Sequence, residues 1–170
     1  MWDNKKLYRT DFCICAARKA MEGGITVKIK IMVAFHKPYW FMDDPVYLPV
    51  QVGHAFHEDL GRQGDDQGEN IGRKNPYYCE LTALFWGWKN LSADALGLVH
   101  YRRYFTRAGF LPLKRLWRRR ILSKKELEAC LRQAPVILPR KRRYFIETNA
   151  SHYFHFHRMD GLEALMEVIS

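Results

Sequence analysis

Long hydrophobic runs and cysteines are both scarce in this 170-residue chain. No run approaches the roughly 18 apolar residues that a membrane-spanning helix needs, and the first residues lack the continuous apolar core of a signal peptide. The four cysteines match no metal-binding signature, because Cys13 and Cys15 lie two residues apart whereas Cys79 and Cys130 stand alone. These absences favour a reduced, cytoplasmic protein.

Acidic residues are nearly absent from residues 102–143. This stretch carries fifteen lysines and arginines against two acidic residues, Glu126 and Glu128, which gives a net charge of +13 in a chain of net charge +10. Because the rest of the chain sums to −3, the sequence predicts a local basic patch rather than a generally basic protein. Such a patch suits nucleic acid, an anionic membrane surface or a phosphorylated small molecule.

The sequence around the basic residues helps to choose among these three kinds of partner. The sequence has no zinc-finger spacing, basic zipper or RNP-type aromatic signature, so we expect no specific nucleic-acid partner. Residues 110–122 mix Leu, Trp and Phe with Arg, a composition suited to peripheral contact with anionic lipid at the inner face of the cell membrane. A basic surface loop or helix explains the same composition.

Hydrophobic patterning predicts three strands. Residues 28–35 and 95–99 are almost continuously apolar, as in strands that are buried on both faces, and residues 135–139 form a further short apolar run. Helical start signals lie between and after these runs at Asn75-Pro76, at the capping box that begins at Ser123, and at Asp160. The alternation predicts an α/β fold with a mainly parallel sheet flanked by helices.

The first predicted helix carries an apolar stripe at helical spacing, which we expect to face the core. Its members are Tyr77, Leu81, Leu84, Phe85 and Trp88. Residues 1–26 show no clean periodicity, so we expect a non-native or disordered extension followed by a partial domain over residues 27–170. The last helical pattern has no closing element after it, and we expect the domain to be truncated at its carboxyl end.

Cationic side chains follow two of the predicted strands, where ligands bind in open α/β sheets. His100, Arg102 and Arg103 follow the strand over 95–99, and paired arginines offer planar, permanently charged forks for phosphate or diphosphate. His36 and Lys37 follow the strand over 28–35. A solvated basic loop and a plain strand-end loop remain the alternatives.

Acidic and amide side chains supply a second group of candidates. Asp65, Asp66, Glu69 and Asn70 share one polar loop, which could hold a divalent cation or sugar hydroxyls, or could be a solvated turn. Glu80 lies near aromatic residues and is either a general base or a surface glutamate. The histidines His152, His155 and His157 have no matching carboxylate or cysteine set, so no metal site is predicted there.

Several blocks, in a fixed order, resemble the bacterial family known as domain of unknown function 4422. They are Lys28–Lys37, Asp44–Gly53, Asp65–Ile71, Lys74–Leu84, Trp88–Asn90, His100–Phe105 and Ile146–Thr148 with His152-Tyr153. The resemblance covers residues 28–169. Members of this family occur in capsular and exopolysaccharide gene clusters and are regarded as glycosyltransferases.

The resemblance implies a nucleotide-sugar-dependent glycosyltransferase with a GT-A-like, Rossmann-related fold. Its partners would be a nucleotide-sugar donor and a lipid-linked or oligosaccharide acceptor. Many GT-A enzymes hold a metal ion with an Asp-x-Asp motif, but here the comparable strand ends in His100-Tyr101-Arg102-Arg103. We therefore expect the arginines to neutralise the departing diphosphate and to lower or remove the need for a divalent cation.

The site residues expected on these grounds fall into two sets. The catalytic candidates are Glu80 and Asp66, and the donor-binding candidates are His36, Lys37, Asn70, His100, Arg102 and Arg103. The alternative is an inactive, truncated fragment that binds polyanions or the membrane surface through Arg115–Arg120.

Overall fold

The computed structural model describes residues 13–17, 27–107, 118–139, 148, 151, 155 and 160–169. The chain divides into two compact units, residues 1–140 and residues 141–170. The strands of the first unit are β1 (Cys13–Ala17), β2 (Ile29–Phe35), β3 (Tyr47–Gln51), β4 (Gln63–Gly64), β5 (Ala95–His100) and β6 (Val136–Ile137). Its helices are α1 (Asn75–Tyr78), α2 (Leu81–Asn90) and α3 (Lys124–Gln133), with short 3-10 helices at His54–Phe56 and Gly72–Lys74. The second unit contains α4 (Asp160–Ile169).

One six-stranded sheet organises the first unit, in the order β4-β3-β2-β5-β1-β6. β4, β3, β2 and β5 run parallel, and Val33 of β2 lies opposite Pro49 on one side and Val99 on the other. β1 runs antiparallel to both β5 and β6. The expected α/β fold with a mainly parallel, helix-flanked sheet is confirmed. The order of the four parallel strands is that of the Rossmann-related class to which GT-A-like folds belong.

The extension expected over residues 1–26 contributes one strand to this sheet. Cys13 lies opposite Val99, and the pairing continues to Ala17 opposite Ala95. The rest of the extension lies outside the described residues. The structure thus includes residues 13–17 in the sheet, and the domain boundary at residue 26 stays a prediction.

Both faces of β2 are buried, which explains its unbroken apolar sequence. Ile31 and Val33 point to one side, where they join the cluster that contains Leu127 and Leu131 of α3. Met32 points to the other side, toward the cluster that contains Trp86 of α2. Alternate side chains of one central strand therefore hold α2 and α3 on opposite faces of the sheet.

The helix expected from Asn75 differs from the observed one in two respects. Cys79 adopts a positive φ of 46° and separates α1 from α2. The predicted stripe is wrong as a core face, because Tyr77 is 87% exposed and Trp88 is 54% exposed. The buried face of α2 consists of Thr82, Ala83, Trp86 and Gly87.

The buried face of α2 combines one large side chain with three small ones. Trp86 fills the cluster that contains Met32 and Leu98, while Gly87 lets the helix approach β2 closely. A Cβ atom on Gly87 would lie 2.5 Å from the sulfur of Met32, so the end of the Met32 side chain would have to move. Periodicity alone indicates an amphipathic helix, but packing against the sheet selects which side is buried.

Strand β3 was not predicted, although it lies inside the parallel sheet. Its sequence contains Pro49, a residue that usually argues against a central strand. β4 pairs only with Val50 and Gln51 of β3, so Pro49 leaves no ladder bond to β4 unmade. The short length of β4 therefore makes the proline acceptable.

The capping box at the start of α3 is confirmed. Glu126 accepts hydrogen bonds from the backbone N–H of Ser123 at 3.0 Å and from the Ser123 hydroxyl at 2.8 Å. The same carboxylate forms a two-pronged ion pair with the Arg107 guanidinium, in which Nη2 lies 2.9 Å from Oε2. The Arg107 hydrogen bond is the main reason that the pKa of Glu126 falls to about 2.

Replacing Glu126 with glutamine should lower the free energy of unfolding by about 0.5–2 kcal/mol, because it removes the charge that pairs with Arg107 while an amide oxygen can still accept from Ser123. The wild-type advantage should shrink as the pH falls from about 4.5 to about 2, since the lowered pKa means that the folded state must then gain a proton. Urea denaturation at pH 7 and at pH 3 measures both effects. Glu128→Gln is the matched control, because the pair that Glu128 forms within the described residues is the longer one with Lys124, at 3.6 Å. Equal losses in the two variants would contradict the role of the Arg107 pair.

Candidate functional site

The carboxyl ends of four parallel strands meet at one edge of the sheet. There β2 is followed by His36, β3 by Gly53 and His54, β4 by Asp65 and Asp66, and β5 ends at His100. The chain proceeds from β2 outward to β4 and then returns to place β5 on the other side of β2. This reversal makes the ends of β2 and β5 a topological switch point, where open α/β sheets bind ligands in a crevice.

A tight turn after β5 builds one wall of the crevice. The backbone N–H of Arg103 donates to the carbonyl oxygen of His100 at 2.7 Å, and the N–H of Arg102 donates to Nδ1 of His100 at 3.3 Å. The Tyr101 ring lies under this turn, 4.2 Å from the His100 ring and 5.5 Å from the His36 ring between centroids. The guanidinium of Arg102 covers the Tyr101 ring at 5.2 Å.

Electrostatic interactions connect the turn after β5 with Glu80, the residue before α2. Burial is the main cause that lowers the pKa of His100 to about 4, and the positive charges of Arg102 and Arg103 lower it further. The carboxylate of Glu80 acts in the opposite direction, which places its charge within range of the imidazole. His100 is therefore a neutral ring whose Nδ1 accepts and whose Nε2 carries the proton.

Five of the predicted site residues are thus brought into one neighbourhood. They are His36, Glu80, His100, Arg102 and Arg103. Lys37 is exposed beside His36 on the loop after β2. A neutral hydrogen-bond donor and two exposed guanidinium groups at one strand end are suited to an anionic, multi-oxygen ligand such as a diphosphate.

A buried carboxylate connects the other strand ends. Asp65 is fully buried and accepts hydrogen bonds from the backbone N–H groups of Gly53 at 3.0 Å and His54 at 3.1 Å. The hydroxyl of Thr82, at the start of α2, lies 2.5 Å from Oδ2 of Asp65. Both oxygens of Asp65 are occupied by protein groups, so this carboxylate organises the site rather than binding a ligand.

Asp66 and Asn70 lie on the same loop as Asp65 but face different partners. Asp66 forms an ion pair with His54, with 2.9 Å between Oδ1 and Nδ1. The amide of Asn70 donates to the carbonyl oxygens of Asp66 at 2.7 Å and Gly68 at 2.8 Å, and its oxygen accepts from the N–H of Gly72 at 3.1 Å. Asn70 therefore shapes the loop that presents Asp66, and its contact with a donor stays a prediction.

His54 is the site residue that sequence reasoning missed. Its position is set by β3, and because that strand was not predicted, a histidine at its carboxyl end was not recognised. The available signal was the largely apolar run Val46–Val52 followed by Gly53, although the proline inside it weakens the pattern of a strand.

Other expectations fall partly outside the described residues. His152, His157 and residues 108–117, which contain Arg115, belong to this group. Within the described part of the chain, His155 is exposed, and no group of three or more His, Cys, Asp or Glu side chains is arranged to hold a metal ion. The helices described there also include none that is long and apolar enough to cross a membrane.

Comparison with known proteins identifies the family. The model of the family described as Domain of unknown function (DUF4422) matches residues 30–170. The chain belongs to this family. No curated protein matches it.

One solved structure is similar in sequence to part of the chain. It is described as a WbbM bifunctional glycosyltransferase in its apo form and is 47% identical over 45% of this chain, with a TM-score of 0.43. The match covers 14% of that chain, so this chain corresponds to a small part of the larger protein.

Asp65→Asn should lower the free energy of unfolding by about 2–4 kcal/mol, because an amide cannot accept from all three buried donors. Thr82→Val removes a single donor and should cost about 1–2 kcal/mol. Chemical denaturation of the two variants beside the wild type tests this order. An Asp65→Asn protein as stable as the wild type would show that the carboxylate does not organise the loops.

The His100 imidazole should titrate with a midpoint near pH 4, because the folded environment disfavours its proton. NMR titration of the ring protons measures this value directly. Since the folded pKa is lower than the usual 6.5, the contribution of His100 to stability is present above pH 6.5 and is lost as the pH falls toward 4. A midpoint near the usual value would show that the ring is solvated.

Proposed function

We propose that the chain is the donor-binding part of a glycosyltransferase, which transfers a sugar from a nucleotide sugar during capsular, exopolysaccharide or lipopolysaccharide synthesis. The observation that carries the proposal is the grouping of His36, His100, Arg102 and Arg103 at the ends of β2 and β5, where burial keeps His100 neutral beside the two arginines. Membership of the DUF4422 family supports the same function. The activity of the larger WbbM protein is consistent with it.

In this proposal the β5 turn receives the diphosphate of the donor. When the bond between the sugar anomeric carbon and the diphosphate oxygen breaks, negative charge accumulates on the departing nucleoside diphosphate. Arg102 and Arg103 supply fixed positive charge. The Nε2–H of His100 supplies an uncharged hydrogen-bond donor at a partly buried position. Lys37 and His36, on the loop after β2, lie beside the same anion.

The acceptor half of the reaction needs a base. A hydroxyl oxygen of the acceptor forms the new bond to the anomeric carbon, and its proton passes to a carboxylate. Glu80 is one candidate for the base, because its charge acts on His100 at the end of β5. Asp66, on the loop after β4, is the other candidate. Either carboxylate ends the step protonated and then releases the proton to solvent.

We propose no set of protein ligands for a divalent cation. Asp65 uses both oxygens within the protein, and one oxygen of Asp66 faces His54. The arginines are therefore given the role that a metal ion has in many GT-A enzymes. Chelation tests this assignment.

A second candidate function follows from the charge distribution. Arg118 and Arg119 are exposed, and they belong to the stretch of net charge +13 over residues 102–143. A basic module of this kind would bind polyanions or the anionic inner face of the cell membrane without recognising a base or sugar. The same contact would hold a cytoplasmic glycosyltransferase near a lipid-linked acceptor.

A thermal-shift screen against UDP-glucose, UDP-galactose, GDP-mannose, free UDP and free GDP, at low and moderate salt, tests the first function. We expect one nucleotide sugar to raise the melting temperature at both salt concentrations. Arg103→Ala should abolish the shift, whereas added EDTA should leave it unchanged. The exposed Arg132 of α3 provides the matched control, and Arg132→Ala should keep the full response.

Two other outcomes would decide against parts of the proposal. A shift that needs a divalent cation and tolerates Arg103→Ala would overturn the role of the arginines. A shift with every polyanion that disappears at moderate salt, and no shift specific to a nucleotide sugar, would favour the basic module.

A further inference from the structure

His54 is the one histidine near the strand ends whose two ring nitrogens both face carboxylates. Nδ1 lies 2.9 Å from Oδ1 of Asp66, and Nε2 lies 3.5 Å from Oδ1 of Asp59. A neutral imidazole has one N–H group and one lone pair, so it can donate to only one of these oxygens. Neither ring nitrogen of His54 forms an aligned hydrogen bond with a described residue, so these are ion-pair contacts, and the two nearby carboxylates favour the imidazolium form of His54.

The backbone of His54 is held as firmly as its ring. Its N–H donates to the buried Asp65, and Gly53 before it has a φ of +65° that favours glycine. A Cβ atom on Gly64 would lie 2.6 Å from Oδ1 of Asp66 and 2.7 Å from Cγ of His54. The ion pair therefore rests directly on the glycine that ends β4, and any side chain there would separate the two partners.

The contact with His54 orients Asp66 but uses only one of its two carboxylate oxygens. Oδ1 is buried against His54, while the Asp66 side chain keeps 25% of its surface exposed. Oδ2 accepts no hydrogen bond from the part of the chain that the structure describes. On the opposite side, a Cβ atom on Gly72 would lie 3.0 Å from Cβ of Asp66, so the absence of a side chain at Gly72 allows this part of the loop to pack closely.

We propose that His54 is a positioning residue, which holds Asp66 so that its free oxygen accepts a hydroxyl group of the nucleotide-sugar donor. In this arrangement Asp66 binds the donor, and Glu80 is the remaining candidate for the base. The inference rests on the proposed function for the identity of the ligand. His54 does not act as a base, because both nitrogens are directed at carboxylates. It acts through Asp66 and does not touch the donor.

The charge of His54 makes this arrangement sensitive to pH. The contact with Asp66 is the largest of the effects that raise the pKa of His54 above 6.5, and burial opposes it. Asp59, Asp66 and, through the backbone N–H, Asp65 are the charged groups around it. Because the folded pKa is raised, the ion pair is complete below pH 6.5 and is lost as the pH rises through the folded value.

The first arm of the test is an NMR titration of His54, which needs no ligand. We expect a pKa above 6.5 in the wild type and a lower pKa in Asp66→Asn, because the amide removes the charge that stabilises the imidazolium. Asp59→Asn should lower it less, since the Asp59 oxygen is farther from the ring. A His54 pKa that does not respond to Asp66→Asn would overturn the pairing on which the proposal depends.

The second arm measures affinity for the nucleotide sugar found in the thermal-shift screen, by calorimetry between pH 5.5 and pH 8.5. Wild-type affinity should fall as the pH rises through the measured His54 pKa. His54→Phe should bind about tenfold to a hundredfold more weakly at pH 6, as expected for loss of a hydrogen bond to a charged group. His54→Asn, which keeps an N–H near the position of Nδ1, should recover part of that loss and should lack the pH step.

His57→Asn is the matched control, because His57 is exposed three residues further along the chain. This variant should keep both the affinity and the pH step of the wild type. A His54→Phe protein that unfolds earlier but binds with unchanged affinity would make His54 a structural residue only and would overturn the proposal. If the wild type binds none of the nucleotide sugars, the proposed function fails and the donor role of Asp66 fails with it, while the titration still decides the pairing.

Discussion

The candidate site depends on one buried carboxylate. Asp65, at the end of β4, accepts hydrogen bonds from the loop after β3 and lies 2.5 Å from the hydroxyl of Thr82 in α2. A buried charge is tolerated only when its oxygens are fully satisfied, so the three donors must stay in place as long as the protein is folded. This requirement fixes the backbone of His54, the start of α2 and the position of Asp66 relative to both.

Two environments for histidine coexist at the same edge of the sheet. His100 is buried beside arginines, and its pKa falls to about 4, whereas His54 lies between two aspartates and its pKa rises. The first ring is therefore neutral beside two positive charges, and the second lies beside negative charges that favour its protonated form. In the proposed function, the basic turn would face the diphosphate of the donor and the acidic loop its sugar.

Glycines determine how closely these parts approach one another. Gly87 lets α2 lie against Met32, which brings Thr82 to Asp65, and Gly64 leaves room for the ion pair of His54 and Asp66. Each position would be too close to its neighbours for a Cβ atom. The precision of the site therefore arises from residues that contribute no chemistry of their own.

By itself the sequence determined the α/β class, the strands β2 and β5, the capping box of α3 and the cluster of His36, His100, Arg102 and Arg103, because apolar runs and their polar ends are local patterns. It did not determine the buried face of α2, the strand β3 or the role of His54. Those features depend on contacts between distant residues: packing of Trp86 and Gly87 against the sheet selected the helix face, and a short β4 made Pro49 acceptable. Only the tertiary structure decided that both oxygens of Asp65 are used within the protein while Asp66 pairs with His54, since adjacent aspartates look alike until their partners, 11 to 17 residues away, are in place.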